Sequence, residues 1–207
     1  MGFPFAAIRQ LIPKTDVPEI LAMIYELADY EKAASAVEAT EGSLKRTLIF
    51  APSPTASHSN STGYARTLIL RLPSATTSDP RGNPVPHPDT AAAPLKDQVI
   101  GMALYFNNYS TWRSKPGVYL EDLFVRPQYR GRGYGKLLLK ALAREVLRID
   151  GGRLEWSCLT WNEPSLQFYR SIGAKELEGW VGLRVDGDAL VKLASGEIPE
   201  ITSPPLR

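Results

Sequence analysis

The stretch IRQLIPKTDVPEILAMIYELADYEK opens on a short strand pattern, then sets Ile20, Leu21, Ile24, Leu27 and Ala28 at the spacing of one helix face, behind Thr15 and Asp16. A second helical piece is expected over 32–39, and residues 43–50 read either as a helix end or as a loop. Between 51 and 97 the rhythm breaks. Proline, serine, threonine and alanine dominate there, except in the island YARTLILRL (64–72), which alternates as a strand does. So few bulky apolar residues cannot bury a core, so the flanks of the island read as long loop insertions rather than domains.

From residue 98 the rhythm returns. VIGMALYFNNY and, after the turn signal SKPG, VYLEDLFV predict an antiparallel hairpin. Leucines and alanines at helical spacing follow over 134–149, stopped by Gly151 and Gly152. A strand is expected over 153–160, a short helix over 164–172 closed by Gly173, a last strand over 180–185 and a frayed tail from 199. An antiparallel meander feeding a strand–helix–strand unit argues for α+β layering rather than a doubly wound parallel sheet.

At 207 residues and 43% hydrophobic, the chain has apolar material for one domain, with a core over about 6–194, loop insertions within 51–97 and a flexible tail over 195–207. A net charge of +2 gives no basic field of the kind that announces nucleic acid or an anionic membrane. The single cysteine, Cys158, has no partner for an internal disulfide, and no N-terminal apolar run reaches the length of a signal peptide or membrane span. These absences together predict a cytoplasmic protein, with neither nucleic acid nor membrane among its partners.

One stretch carries chemistry. RGRGYG, residues 130–135, lies between a predicted strand and a predicted helix, where unpaired backbone N–H groups and the helix dipole favour an anion such as a diphosphate. An isolated glycine cluster reads equally as a plain tight turn. The spacing is neither GxGxxG nor GxxxxGK followed by Ser or Thr, so dinucleotide and Walker-type sites fit poorly. Context favours the anion. Arg130, Gly131, Arg132, Gly133, Tyr134 and Gly135 match the acyl-CoA motif Arg/Gln-x-x-Gly-x-Gly/Ala, and YLEDLFV, YRGRGYG, WNEPSLQFYRSIGA and EGW follow in order. With LADYEK and YSTW, the chain resembles the GCN5-related N-acetyltransferase (GNAT) superfamily, in its spermidine/spermine (diamine) and thialysine acetyltransferase branch.

That resemblance implies a GNAT fold, a mixed, mostly antiparallel sheet of about six to seven strands flanked by helices on both faces. It implies acetyl-CoA as cosubstrate, no metal, a small-molecule amine as acceptor, and a homodimer. Leu123, Phe124 and Val125 take the place of the strand that pairs with the pantetheine arm, with the Val125 N–H a candidate to polarise the thioester carbonyl. The diphosphate falls to the amides of Gly131, Arg132, Gly133, Tyr134, Gly135 and Lys136, with charge from Arg130, Arg132 and Lys136, whose side chains read equally as solvated. Asn162 and Ser165 match positions near the pantetheine arm, where WNEPS also explains them as helix capping.

Tyr169 matches the general acid that protonates the departing thiolate. Glu121 and Asp122 face opposite ways on a strand. The resemblance gives Glu121 the proton of the incoming ammonium and leaves Asp122 on the substrate side, together with Tyr30, Glu31, Trp112, Glu155, Trp156, Ser157, Glu178 and Trp180. Where polyamine-acetylating members carry aspartate before Pro-Trp, this chain has Ser110-Thr111-Trp112, as thialysine-type members do. Cys158 raises an acyl-cysteine intermediate, but a lone cysteine in an apolar strand is more often a small buried hydrophobe. Two other readings remain open, lysine acetylation on proteins or peptides and a non-catalytic acyl-CoA-binding module. Glu121 and Tyr169 weigh against the module, since a pure binder needs neither.

Overall fold

The computed structural model describes residues 7–9, 12–51, 63–72, 77–78, 84–85 and 98–197. Within them the chain runs β1 (Ala7–Arg9), α1 (Val17–Tyr30), α2 (Glu41–Thr47), β2 (Arg66–Leu72), β3 (Thr77–Ser78), β4 (Pro84–Val85), β5 (Gln98–Ser110), β6 (Lys115–Val125), α3 (Tyr134–Arg148), β7 (Leu154–Trp156), α4 (Glu163–Ser171) and α5 (Gly187–Ser195). Met1–Asn162 and Glu163–Arg207 form two compact units. Apart from β3 and β4, which pair with each other, most of the expected 51–97 insertions, and the tail from 198, lie outside the described residues.

The sheet of the first unit has the order β1-β2-β5-β6-β7, antiparallel except for the parallel β6–β7 pair. Its mixed character follows from the connections. The tight turn after β5 can only return antiparallel, whereas α3 carries the chain from β6 back to a parallel neighbour. Ile69, Met102 and Phe124 stand side by side across β2, β5 and β6. All three belong to one buried cluster with Ile12, Val17, Ile20, Met23 and Leu44, which puts α1 and α2 on that face. Alternation sends Leu68 and Ala103 to the other face, where α3 packs on β5, β6 and β7 with Leu138, Leu139 and Leu142 buried. Each leucine so buried contributes roughly 1.5–3 kcal/mol.

One irregularity positions the site. Leu104 pairs with Asp122, but Tyr105 pairs with Leu120, so Glu121 is an extra residue in β6 with no opposite number in β5. Such a bulge bends its strand and changes which face the following residues meet. Leu120, opposite the buried Tyr105, lies on the α3 face, whereas Asp122, opposite Leu104 of the α1-side cluster, lies on the α1 face. The parallel ladder with β7 also ends here, at Leu120↔Trp156, while β6 continues to Val125.

Several expectations change. The strand over 153–160 shrinks to β7, because β6 bends away and no further neighbour offers it hydrogen bonds. The alternating run over 180–185 is not a strand, since alternation does not supply ladder partners and none pairs with it among the described residues. Among the described residues the main sheet therefore has five strands, below the six to seven expected. The piece over 32–39 holds only a 3-10 turn at Ala34–Ala36, and the helix falls at α2 instead, where Thr40 and Ser43 form a capping box. Asp16 caps nothing with its side chain. It is buried and ion-paired with Arg71 of β2, fastening the start of α1 to the sheet.

Arg71→Met leaves Asp16 buried without its cation and should lower the unfolding free energy by about 3–5 kcal/mol. Urea denaturation of this variant and of Asp16→Asn/Arg71→Met checks it. The double variant should recover much of the loss, and equal losses in both would mean that the pair does not carry the effect.

Candidate active site

The bulge leaves the far end of β6 with one free edge. Arg126 donates its backbone N–H to Ile100 of β5 at 2.9 Å, so strand alternation turns the Val125 amide the other way, toward the side β7 has left. The Val125 carbonyl accepts from Arg130 Nε at 2.8 Å. The Arg126 side chain anchors this end to α1, reaching Glu19 and Glu26 at 3.0 Å each and donating to the Val99 carbonyl at 2.9 Å. An extended ligand arm can therefore add to Leu123–Val125 as a strand would.

The chain then turns into α3. Gly131 and Gly133 take φ of 73° and 82°, a left-handed conformation that is strained for residues with a Cβ. A Cβ on Gly131 would meet nothing within 4 Å, so backbone conformation rather than crowding calls for glycine there. Gly133 is the N-cap of α3 and supplies no capping side chain, which leaves the first amides of a 15-residue helix available to an anion. Tyr134 is buried and serves packing; Gly135 is half-buried and Lys136 exposed. Arg132 lies over the Tyr129 ring, 6.0 Å from its centroid. Arg130 lies 5.0 Å from the Tyr30 centroid and 5.5 Å from that of Phe124, so its charge sits where the glycine loop meets the end of α1.

Acids gather beside this edge. Burial, then the charge of Glu121, then that of Glu31, push the Asp122 carboxyl up to about 6, while burial raises Glu31. Glu121, at the bulge, is exposed. Tyr30 donates from its hydroxyl to Asn162 Oδ1 at 3.1 Å, and its ring lies 6.1 Å from that of Trp161. Lys32 Nζ lies over the other aromatic of this wall, 5.7 Å from the Trp161 centroid. Cys158 is half-buried, with its thiol pushed up by burial and by Glu31, which gives it no thiolate character for an acyl intermediate.

The expected substrate-side residues are only partly assembled here. Tyr30, Glu31 and Asp122 come together. Glu155 is committed elsewhere, with Arg153 Nε at 2.7 Å and a hydrogen bond from Asn108 at 2.6 Å. Ser157 bonds the Tyr119 hydroxyl at 2.8 Å, and Trp156 closes β7. Trp112 is 91% exposed in the β5–β6 turn, at the opposite end of the hairpin from Val125. Ser165 and Tyr169, both half-buried on α4, and the exposed Glu178 and Trp180 belong to the second unit. Sequence reasoning missed Lys32, Arg126 and Trp161. Two of the three had signals, a lysine directly after LADYE and a tryptophan opening WNEPS, but nothing in spacing said which aromatic face a cation would meet.

Asp122 carries a linkage prediction. Its folded pKa lies above the ordinary 3.8, so the stability it contributes is full below about pH 4 and is lost as pH rises through about 6. Asp122→Asn removes that penalty, on the order of 2–3 kcal/mol at neutral pH. The variant should melt above the native chain at about pH 7.5, with the difference shrinking toward zero near pH 4. A pH-independent difference in Tm would contradict the burial of this charge.

With this geometry in view, known proteins resemble the chain closely. The sequence model of the acetyltransferase (GNAT) family matches residues 62–174. L-ornithine N5-acetyltransferase NATA1 of Arabidopsis thaliana is 34% identical over 90% of this chain and 86% of its own length. Thialysine N-epsilon-acetyltransferase of Bos taurus is 32% identical over 92% of this chain and 98% of its own. Among solved structures, an integron cassette protein from the mobile metagenome of V. cholerae shares the fold with a TM-score of 0.62 at 24% identity, covering 93% of this chain and 99% of that one. The free β6 edge, the glycine turn and the uncapped α3 terminus thus sit in a fold whose members transfer acyl groups, and the chain belongs to the GNAT acetyltransferase family.

Proposed function

We propose that this chain moves the acetyl group of acetyl-CoA to a primary amine of a small molecule, of the diamine, polyamine or thialysine kind, by direct attack in a ternary complex. The observation that carries the reading is the β6 edge, free of β7 beyond Leu120 and leading through the glycine turn to an uncapped helix N-terminus, with the half-buried Asp122 alongside. The relatives named for L-ornithine and thialysine support the substrate class.

In this reading the pantetheine arm adds to Leu123, Phe124 and Val125, and the diphosphate rests on the amides of 131–136, with Arg130, Arg132 and Lys136 for charge. Asn162 and Ser165 are assigned to the pantetheine arm by their match to the family pattern. Asp122 and Glu31 attract the ammonium, a role that also relieves their mutual repulsion. Glu121, open to water at the bulge, accepts one ammonium proton and passes it to solvent. The free amine attacks the thioester carbon while the Val125 N–H polarises the carbonyl oxygen. As the C–N bond forms and the C–S bond breaks, Tyr169 protonates the thiolate and recovers its proton from the new amide nitrogen. The net products are the acetamide, CoA and one proton.

The second unit supports a homodimer. Trp180, Val181, Leu183 and Val185 are 50–91% exposed, a run more apolar than water favours and of a kind a second copy covers. Among the described residues no helix is long and apolar enough to cross a membrane, and the proposed setting of the enzyme is the cytoplasm.

Purified protein given acetyl-CoA with putrescine, spermidine, L-ornithine, thialysine or a lysine peptide should release CoA with at least one small amine and not with the peptide alone; the opposite pattern would overturn the substrate class. Tyr169→Phe should bind acetyl-CoA normally and lose roughly a hundredfold to ten-thousandfold in kcat, on the scale of general acid catalysis. Glu121→Gln should lose most activity at low pH, where the amine is most protonated, and a loss uniform with pH would remove it as the proton acceptor.

A further inference from the structure

Helix α1 ends in a motif that prefers glycine. Glu31 is its C-cap, Lys32 follows with φ 59°, the Lys32 N–H bonds the Asp29 carbonyl at 3.0 Å, and the Ala33 N–H bonds the Ala28 carbonyl at 2.8 Å. This pair of bonds is a Schellman termination, whose left-handed residue is usually glycine because a Cβ is strained there. A lysine at this position costs backbone energy that a glycine would not, while its backbone N–H makes only the bond a glycine would also make. Its side chain is not spent on a salt bridge either. Although Glu31 is its neighbour in sequence, Lys32 has no ion-pair partner among the described residues, and its ammonium rests over the face of Trp161. A cation held on an aromatic face keeps its N–H donors for a third party.

The surroundings say what that party is. Tyr30, bonded to Asn162 and packed beside Trp161, makes one continuous wall from Lys32 to the Arg130 guanidinium. Glu31 stands between Tyr30 and Lys32 at the end of α1, and Asp122 lies two residues before Phe124, whose ring shares Arg130 with that of Tyr30; the charge of Glu31 reaches Asp122. Negative groups that attract an amine thus stand beside an exposed cation with no ion-pair partner among the described residues, an arrangement complementary to a ligand with an ammonium at one end and an anion at the other. A simple diamine or polyamine has no use for the cation and is repelled by it.

Resting on the acetyltransferase reading above, we propose that Lys32 is a specificity residue that binds the α-carboxylate of the acceptor, so that the preferred substrates are amino acids with a terminal side-chain amine rather than the corresponding diamines. The carboxylate accepts hydrogen bonds from Lys32 Nζ, above Trp161, while the reacting amine points to Asp122 and the free end of β6. Because this contact is remote from the reacting atoms, it acts through binding and appears in KM more than in kcat.

The test uses a matched pair, L-ornithine and putrescine, which differ by the carboxylate alone. The native chain should favour L-ornithine in kcat/KM. Lys32→Gly relieves the left-handed strain, so it should melt no lower than the native chain, which removes misfolding as an explanation of its kinetics. In this variant the ratio of kcat/KM for L-ornithine over putrescine should fall about tenfold. The fall should come chiefly from a raised KM for L-ornithine and from a gain for putrescine, whose second ammonium no longer meets a like charge. Lys32→Arg should retain most of the ratio. A native preference for putrescine, or a ratio that Lys32→Gly leaves in place, overturns this inference while leaving the acetyltransferase reading standing. Turnover of neither compound, nor of any other small amine, overturns both.

Discussion

The site depends on a single extra residue. Glu121 has no partner across β5, and its insertion ends the parallel ladder with β7, swings Asp122 to the α1 face and frees the last residues of β6 along one edge. An unpaired strand edge is ordinarily a liability, because its amides seek any partner. Here the edge is short and runs into a helix N-terminus, so that the donors which would invite aggregation become donors for an extended, anionic ligand. Arg126 makes the arrangement rigid by tying the strand end to Glu19 and Glu26 of α1 and to the Val99 carbonyl.

Electrostatics then divide the site into two regions. Toward the helix N-terminus the groups are donors and cations, suited to a diphosphate. Toward α1 they are half-buried acids, with the Asp122 carboxyl raised to about 6 by burial and by the charges of Glu121 and Glu31. That crowding destabilises the unliganded protein and is relieved by a cationic ligand, a trade between stability and binding that recurs at functional sites. The aromatic wall of Tyr30 and Trp161 lies beside the acid region and holds Lys32 and Arg130 on its faces without neutralising the acids.

Much of this was legible in the sequence because it follows from local rules. Apolar alternation located β2, β5 and β6, helical spacing located α1, α3 and α4, and the glycines of RGRGYG marked the turn that a left-handed backbone requires. Two helices escaped although their signals are local, α2 with its Thr40–Ser43 capping box and α5 over Gly187–Ser195; the rest of what escaped was non-local. Neither glycine nor proline marks the bulge, so only the β5 register reveals it. The run over 180–185 alternates like a strand, but pairing needs a neighbour that sequence does not name. Glu155 read as substrate-facing until its neighbours Arg153 and Asn108 claimed it. Lys32 drew no notice because its interest lies in a backbone angle and in an aromatic face more than a hundred residues away.

The account stands on the free β6 edge and the α3 N-terminus together holding acetyl-CoA, and amide hydrogen exchange with and without that compound addresses it directly. The Leu123 and Val125 amides and those of residues 131–136 should exchange more slowly in its presence, while the turn around Trp112 is unchanged. Protection confined to other parts of the chain, or none at saturating acetyl-CoA, would contradict it.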